Sequence, residues 1–395
     1  MIALLKFTIT IGILITVILV GIYYLLRIRN CHIWFWSYLK YQCSLGQYKD
    51  CKYIKHIIFC FVDHFEPKWE KPSKDSEIAR VNAWHRDYPR LADQFRDSDG
   101  KCPQHTWFYP AEEYEYEYLE KLAELCRKEY GEIELHLHHD KDTSDGVRRK
   151  INEALNNYAK HGALGVDRVT GKIKYGFIHG NWALDNSDAH GINCGVNDEI
   201  DILNSTGCYA DFTLPAAPST CQTKKINSIY YAIDNPQKPK SHDTGIDVEV
   251  NKLVNKGLLI MQGILTLNWN NRKYGLLPRI ENSEISSRNP ATRDRINLWL
   301  KQNIHVKGRD EWVFVKVHCH GAQERDFDAL LGKEAEKMFK NIERICKKEN
   351  YRLHYVTARE CYNIIKAAEN GEVGDPNEYR NYIIKKNGEH IRESV

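Results

Sequence analysis

Histidine and carboxylate residues follow several apolar runs of this 395-residue chain. Four runs end in such residues: VDHFEP (62–67), HLHHD (136–140), IHGNW (178–182) and VHCHG (317–321). A fifth run contains Asp211. In parallel α/β folds, ligands bind at the carboxyl ends of the strands. If these runs are parallel strands, their polar residues meet at one edge of the sheet.

Side-chain alternation along a strand indicates which of these residues can act together. His136 and His138 share one face of their strand, and His318 and His320 share one face of theirs. Two imidazoles with a carboxylate from another strand suit a divalent metal ion, for which Zn²⁺ is the expected choice. The sequence thus predicts a metal or acid–base site. Its candidate residues are His64, His136, His138, His179, His318 and His320 with Asp63 and Asp140.

The remaining histidines in strand-like runs have a simpler interpretation. A single histidine in a strand is more often a hydrogen-bonded core or rim residue than a ligand. We interpret His56, His139 and His354 in that way.

Strand-length apolar runs alternate with stretches of helical period through the whole chain. The predicted strands are 56–63, 105–110, 133–139, 175–180, 209–215, 229–234, 258–265, 312–318 and 352–357. The predicted helices are 78–95, 112–130, 145–160, 291–300, 327–347 and 359–368. This rhythm favours an α/β fold with a parallel sheet covered on both faces. We expect an irregular (β/α)7-type barrel, in which the long polar stretches 181–204 and 235–256 form rim loops.

The N-terminus predicts a membrane anchor. Residues 7–26 contain no charge and no proline, and as a helix they span roughly 30 Å, the thickness of the hydrocarbon core. No small-residue cleavage site follows before Arg27, which disfavours a secretory signal. The aromatic cluster at 33–38 is typical of the headgroup level. We therefore predict a single-pass membrane protein.

The flanking charges indicate which side the soluble part faces. Lys6 precedes the span, whereas Arg27, Arg29 and Lys40 follow it, so the positive-inside rule favours a cytoplasmic location. All twelve cysteines follow the span without a disulfide-like spacing, which agrees weakly with that side. A periplasmic or extracellular location stays open.

The net charge and the chain length limit the class of partner and the number of domains. The net charge of +3 gives no sign of nucleic-acid binding. We predict an anchor at 1–28, a juxtamembrane segment at 29–53, one α/β domain at 54–371 and a polar tail at 372–395.

These residues resemble the polysaccharide deacetylase superfamily, metal-dependent carbohydrate esterases built on a (β/α)7 barrel. Its first motif, Thr-Phe-Asp-Asp, is similar to Phe61-Val62-Asp63-His64. Its His-x-x-x-His motif falls on His136 and Asp140, with His138 between them, and its late Leu-x-His motif is similar to the segment 317–320. The family's Arg-x-Pro-Tyr segment is replaced here by 177–182.

The resemblance implies a membrane-anchored enzyme that removes acetyl groups from N- or O-acetylated sugars in polysaccharide metabolism. The implied catalytic residues are Asp63 as base and His318 or His320 as acid. The implied metal ligands are His64, His136, His138 and Asp140, with Zn²⁺ as cofactor. The implied substrate-binding residues are His179, Asn181, Trp182 and Asp211. The expected partners are an acetylated glycan, the membrane and polysaccharide-assembly proteins.

Two alternatives remain open at this stage. A glycosidase on a related barrel would use two carboxylates roughly 5–9.5 Å apart, with Asp63, Glu66 and Asp211 as candidates. A non-catalytic carbohydrate-binding partner of a polysaccharide synthesis complex would need neither a metal nor an acid.

Overall fold

The structure, a computed structural model, describes residues 1–48 and 53–387. The helices are α1 (Ile2–Ile28), α2 (Phe35–Ser44), α3 (Lys74–Ala92), α4 (Tyr116–Arg127), α5 (Ser144–Ala159), α6 (Glu199–Thr206), α7 (Arg293–Gln302), α8 (Phe327–Leu330), α9 (Lys333–Lys348) and α10 (Ala358–Glu369). The strands are β1 (His56–His64), β2 (His105–Pro110), β3 (Gly131–Leu137), β4 (Gly165–Asp167), β5 (Ile173–His179), β6 (Cys208–Asp211), β7 (Ile229–Ala232), β8 (Ile246–Asp247), β9 (Leu258–Met261), β10 (Thr266–Lys273), β11 (Leu277–Glu281), β12 (Trp312–Cys319), β13 (Arg352–Val356) and β14 (Ile384–Lys386).

A large, mostly parallel sheet forms the centre of the molecule. Seven strands pair in parallel in the order β12-β1-β2-β3-β5-β6-β9, and β13 adds to the first half of β1. The antiparallel strands β7 and β8 extend the sheet beyond β9. The carboxyl ends of β1, β2, β3, β5 and β12 therefore lie on one side of the sheet, as the sequence predicts.

The α/β class is confirmed, whereas the closed (β/α)7 barrel is not. Among the described residues no ladder joins β9 to β12, the pairing that would close the ring. The two edges nevertheless approach each other. The Lys316 ammonium of β12 donates to the carbonyl oxygens of Phe212 and Leu214, which follow β6. A Cβ on Gly263, just after β9, would lie only 2.9 Å from the Lys316 carbonyl oxygen.

Burial explains the apolar strands and the amphipathic helices. β1 is buried along almost its whole length, because other parts of the chain cover both faces of the sheet there. α9 buries Ala335, Met338, Phe339 and Ile342 at helical spacing and presents its charged residues to solvent. The last helix, α10, begins with a capping box between Thr357 and Glu360.

The N-terminal helix is long and apolar enough to cross a membrane. Residues Leu4–Ile28 have a mean hydropathy of 2.5, and none of the span is buried inside the protein. The aromatic cluster at 33–38 predicted that the next segment lies at the headgroup level of the membrane. Instead, this segment packs in part against the domain. Trp34 is fully buried and packs with Ala217, Ile226 and Leu265, whereas Trp36 is exposed.

The segment after Gly371 is less peripheral than predicted. β14 pairs with β4, and Ile384 is buried. The Arg359 guanidinium, itself buried and paired with Glu132, donates to the Ile384 carbonyl oxygen. Residues 376–386 therefore pack against the domain, and the end of the predicted tail lies outside the described residues.

Candidate functional site

The carboxylate of Glu66 is the centre of the histidine cluster at this sheet edge. Glu66 follows β1 by two residues and is mostly buried. Its Oε1 lies 2.9 Å from His138 Nε2 and 3.4 Å from His136 Nε2, and its Oε2 lies 3.2 Å from His320 Nδ1. Burial alone would raise the pKa of Glu66, but these three imidazoles hold it well below its usual range. The group is therefore an ionised carboxylate.

His136 is oriented by the neighbouring strand. Its Nδ1 lies 2.8 Å from the Ile178 carbonyl oxygen. Because a carbonyl only accepts, Nδ1 carries the proton and donates. Nε2 faces the Glu66 carboxylate, to which it donates when it carries a second proton, and its lone pair can bind a metal ion when it does not.

His138 joins two carboxylates. Its Nδ1 lies 2.5 Å from Glu112 Oε1, and its Nε2 contacts Glu66. Burial lowers the pKa of His138, but the hydrogen bonds to Glu112 and Glu66 outweigh that effect and raise it to about 10. The ring is therefore an imidazolium at neutral pH. Gly180 allows its close approach, since a Cβ there would lie 2.2 Å from the His138 ring.

A pocket of about 480 Å³ opens beside this cluster. It is lined by Glu66, Lys68, Trp69, Glu70, Lys71, Glu112, Glu113 and His138. Glu113 differs from the other carboxylates, because burial raises its pKa to about 7 despite a 2.8 Å hydrogen bond from the Lys68 amide. The pocket thus holds a protonatable carboxyl beside an ionised one.

The two late histidines have different surroundings. His320 is half-buried beside Glu66, and the contact with that carboxylate raises its pKa although burial lowers it. Burial, with Lys316 and His320 nearby, holds the pKa of His318 well below its usual range. The buried His318 is therefore less suited than His320 to the predicted role as an acid, which stays a prediction.

His64 lies at the back of the cluster. Its ring centroid is 5.0 Å from that of His136, 4.8 Å from that of His320 and 6.1 Å from that of Trp182. Burial, then the neighbouring histidines, hold its pKa well below its usual range. His64 and the half-buried Trp182 therefore lie next to the histidines around Glu66 without contacting the Glu66 carboxylate in any hydrogen bond or ion pair among the described residues.

Asp63 is occupied by structural contacts. It is completely buried, its Oδ2 lies 2.9 Å from His105 Nε2, and its Oδ1 accepts the Gly321 amide at 2.5 Å. A Cβ on Gly321 would lie 2.0 Å from Asp63 Oδ2, so no water fits between them. Asp63 therefore cannot be the predicted base for an attacking water.

Three other residues that were predicted to belong to the site do not reach the cluster around Glu66. Asp140 is exposed, and its Oδ1 accepts the Asn193 amide at 2.7 Å, so it does not join the metal-ligand candidates. Asp211 is fully buried and accepts both the amide and the hydroxyl of Thr213. His179 is also fully buried, so neither of these last two can touch a substrate. Asn181 is exposed at the rim and remains a candidate for substrate binding.

The acidic side of the pocket was not predicted from the sequence. Glu112 and Glu113 lie two and three residues after Pro110, the last residue of β2, and Glu66 was considered only as a glycosidase candidate. These glutamates follow the end of a strand, which is the same pattern that identified the histidines as candidates. The prediction did not extend that pattern to Glu112 and Glu113.

The residues present fit a divalent metal with a changed ligand set, and the ion would displace the Nε2 proton of the His138 imidazolium. Glu66, His136 and His138 offer donor atoms within 4.8 Å of one another. Of the predicted ligands, His136 and His138 belong to this group, whereas His64 and Asp140 do not.

Comparisons with known proteins give only distant likenesses. No protein family and no curated protein matches the chain. It is similar to a solved 4-alpha-glucanotransferase from Thermococcus litoralis, with a TM-score of 0.41 and 11% identity over 76% of this chain and 39% of that one. It is also similar to a GH57 branching enzyme from Thermococcus kodakaraensis, with a TM-score of 0.38 and 9% identity over 76% and 69% of the two chains. The match thus spans well under half of the glucanotransferase.

These comparisons give no support to the predicted activity, since one similar structure is a glucanotransferase, the other is a branching enzyme and neither is a deacetylase. The inaccessible Asp63 carboxylate points the same way, because deacetylation in the resembled family starts from that group. The predicted polysaccharide deacetylase activity on amide bonds is wrong, whereas the predicted Zn²⁺ cofactor stays a prediction.

Proposed function

We propose that the chain is a carbohydrate-active enzyme that cleaves glycosidic bonds, with Glu113 as general acid and Glu66 as the ionised carboxylate. One observation carries this proposal. Both groups line the same pocket, and their environments push their pKa values apart, to about 7 for Glu113 and well below the usual range for Glu66. Such a separation is the pattern of an acid and its partner carboxylate.

The chemistry follows from those two states. Protonated Glu113 gives its proton to the glycosidic oxygen as the bond breaks, so that the leaving sugar departs as an alcohol. Ionised Glu66 either attacks the anomeric carbon or takes a proton from the attacking water. Its three imidazole contacts fix the carboxylate in one orientation before substrate arrives.

The pocket is suited to a sugar. Its volume is within the range of ligand pockets in general. Trp69 is half-buried on its wall, and the Lys68 side chain pairs with Glu115 beside it. An indole face against a sugar ring combined with charged groups for its hydroxyls is a common way to bind carbohydrates.

The test is hydrolysis by the full-length protein in detergent. The substrates are α- and β-linked glucans together with N-acetylated oligosaccharides, and both new reducing ends and released acetate are measured. We expect new reducing ends from at least one class and no acetate. Glycan binding without any new reducing end would instead support the non-catalytic binding alternative and refute the enzyme.

A divalent metal at Glu66, His136 and His138 is a second candidate, favoured by the convergence of their donor atoms. A bound ion would supply Lewis-acid polarisation and a water of lowered pKa. His136 would present Nε2 while the Ile178 carbonyl oxygen holds its Nδ1 proton.

His136→Ala tests this metal site. We expect the variant to contain about one divalent ion per chain less than the wild type, because a lost ligand weakens binding far more than a distant change does. His64→Gln is the matched control, since His64 contacts the cluster without belonging to the ligand set. Elemental analysis that gives equal metal in the wild type and His136→Ala would exclude the site.

We also propose that α1 anchors the chain, with the domain on the cytoplasmic side. The full-length protein should remain with membranes after washing at high salt and high pH. A chain that begins at Asn30 should be soluble, because residues 31–45, including the buried Trp34, pack on the domain. A soluble full-length chain, or mass spectrometry showing removal of α1, would contradict the anchor. A C-terminal reporter that is active only outside the cytoplasm would reverse the orientation.

A further inference from the structure

A second cluster of metal-ligand side chains lies behind the pocket and has no part in the proposed reaction. It consists of His139, His179, Cys194 and Glu199, and all four side chains are fully buried. One donor atom from each lies within 4.8 Å of the other three. We refer to it as the buried His–Cys–Glu cluster.

We propose that the buried His–Cys–Glu cluster binds one divalent transition-metal ion in a closed, four-coordinate site. Tetrahedral ligands at bond lengths of about 2.0–2.3 Å are separated from each other by about 3.3–3.8 Å. Here His139 Nε2 is 3.0 Å from His179 Nε2, and Glu199 Oε1 is 2.9 and 3.4 Å from these two nitrogens. Cys194 Sγ lies 3.6 Å from Glu199 Oε2. Small outward shifts would accommodate an ion.

Hydrogen bonds orient the donors toward a common centre. His179 Nδ1 lies 2.5 Å from the Gly180 carbonyl oxygen and must donate to it, so its Nε2 presents a lone pair. That lone pair faces His139 Nε2, which also lies 2.9 Å from Glu199 Oε1 and carries the shared proton that a bound ion would displace. On Glu199, Oε2 accepts the Asp185 amide at 2.6 Å, which leaves Oε1 for the centre. Backbone groups that fix the far side of each ligand are the usual outer contacts of a metal site.

The ligand types select the class of ion. Two imidazole nitrogens, one thiol sulfur and one carboxylate oxygen suit a borderline-soft divalent ion of the late first transition row rather than Mg²⁺ or Ca²⁺, which prefer oxygen. Full burial leaves no open coordination position for a substrate. The site is therefore structural rather than catalytic.

A bound ion would link the long loop between β5 and α6 to the carboxyl ends of β3 and β5. His139 follows β3 and His179 ends β5, whereas Glu199 begins α6 and Cys194 lies in the loop between β5 and α6. The backbone already holds the loop there. The Asp142 amide donates to the Cys194 carbonyl oxygen at 2.9 Å, and a Cβ on Gly195 would lie 2.8 Å from the Asp142 nitrogen.

The same loop carries Trp182 to the pocket side of the sheet, where its ring centroid lies 6.0 Å from that of His320. A metal ion at the buried His–Cys–Glu cluster would hold that indole in place.

The experiment uses the full-length, tag-free protein in detergent, stripped of metal and titrated with Co²⁺. A thiolate-bound, tetrahedral Co²⁺ gives a sulfur-to-metal charge-transfer band and intense visible d–d bands. We expect both, and the charge-transfer band should saturate at about one thiolate-bound Co²⁺ per chain, because a Co²⁺ ion in the pocket cluster would have no sulfur ligand. Cys194→Ser should lose the charge-transfer band. Cys208→Ser is the matched control, since Cys208 is also buried and its thiol also contacts a backbone carbonyl oxygen.

The outcomes separate this site from the pocket. Glu66→Gln and His136→Ala should keep the charge-transfer band, because the pocket cluster holds no cysteine. If Cys194→Ser does not fold, Glu199→Gln keeps the thiol and should bind Co²⁺ at least tenfold more weakly. A wild-type titration without the charge-transfer band, or a band unchanged in Cys194→Ser, overturns the proposal. Neither result depends on whether the chain cleaves glycosidic bonds.

Discussion

Glu113→Gln should lower kcat/KM for glycoside cleavage by about 10²–10⁴-fold, the usual contribution of a general acid. The glutamine keeps the size of the side chain and can still accept the Lys68 amide, but it has no proton to give. Substrates whose leaving group needs no protonation, such as nitrophenyl glycosides, should lose much less. Comparing the two substrate types measures the acid role directly.

The pH profile provides a second measurement on the same variant. Burial raises the pKa of Glu113 to about 7, so the acid is protonated below that pH and activity should fall as the pH rises through about 7. Glu113→Gln should lose this alkaline limb.

The free energy of unfolding provides the control that Glu113→Gln is correctly folded. A carboxyl whose pKa is raised in the folded state destabilises the protein increasingly as the pH rises from about 4.5 to 7. Glu113→Gln removes that cost and should unfold no more easily than the wild type at pH 8. An unchanged rate on both substrate types, in a folded variant, would refute the assignment.

Glu66→Gln should also lower turnover by at least about 10²–10⁴-fold, because the amide can neither attack nor accept a proton. Unlike Glu113→Gln, it should slow nitrophenyl glycosides as strongly as natural substrates, since both need the ionised carboxylate. Glu70→Gln is the matched control, because Glu70 lines the same pocket and is exposed.

Circular dichroism and metal content should accompany this assay. If Glu66→Gln loses metal and activity together, while Glu113→Gln keeps both, the metal candidate would replace the glycosidase proposal. If Glu66→Gln keeps its metal and loses activity, the carboxylate itself is the reacting group.

The strand pattern could be read from the sequence because burial on both faces leaves a local signature. The apolar run at 56–63 and the run at 312–318 became the adjacent parallel strands β1 and β12. Other elements had a weaker pattern of apolar residues. α6 was predicted as part of a rim loop, and the β10–β11 hairpin was not predicted, because its residues are mostly exposed.

The gathering of histidines at one sheet edge was likewise predictable, since parallel strands place their carboxyl ends together. His136, His138 and His320 all reach Glu66 as that rule indicates. The role of each residue was not predictable. Asp63 lies near the end of β1 and Glu66 follows it by three residues, yet Asp63 is enclosed by Gly321 and His105, whereas Glu66 opens onto a pocket.

The sequence by itself determined the apolar N-terminal span, the α/β class and the edge of the sheet where the histidines gather, because these follow from local periodicity and strand direction. Only the tertiary structure decided which carboxylates are solvated and which histidines are buried. His139, interpreted as a core residue, and His179, predicted to bind substrate, meet Cys194 and Glu199 in the interior. Such meetings depend on loop paths and close backbone approaches, which no pattern along the chain encodes.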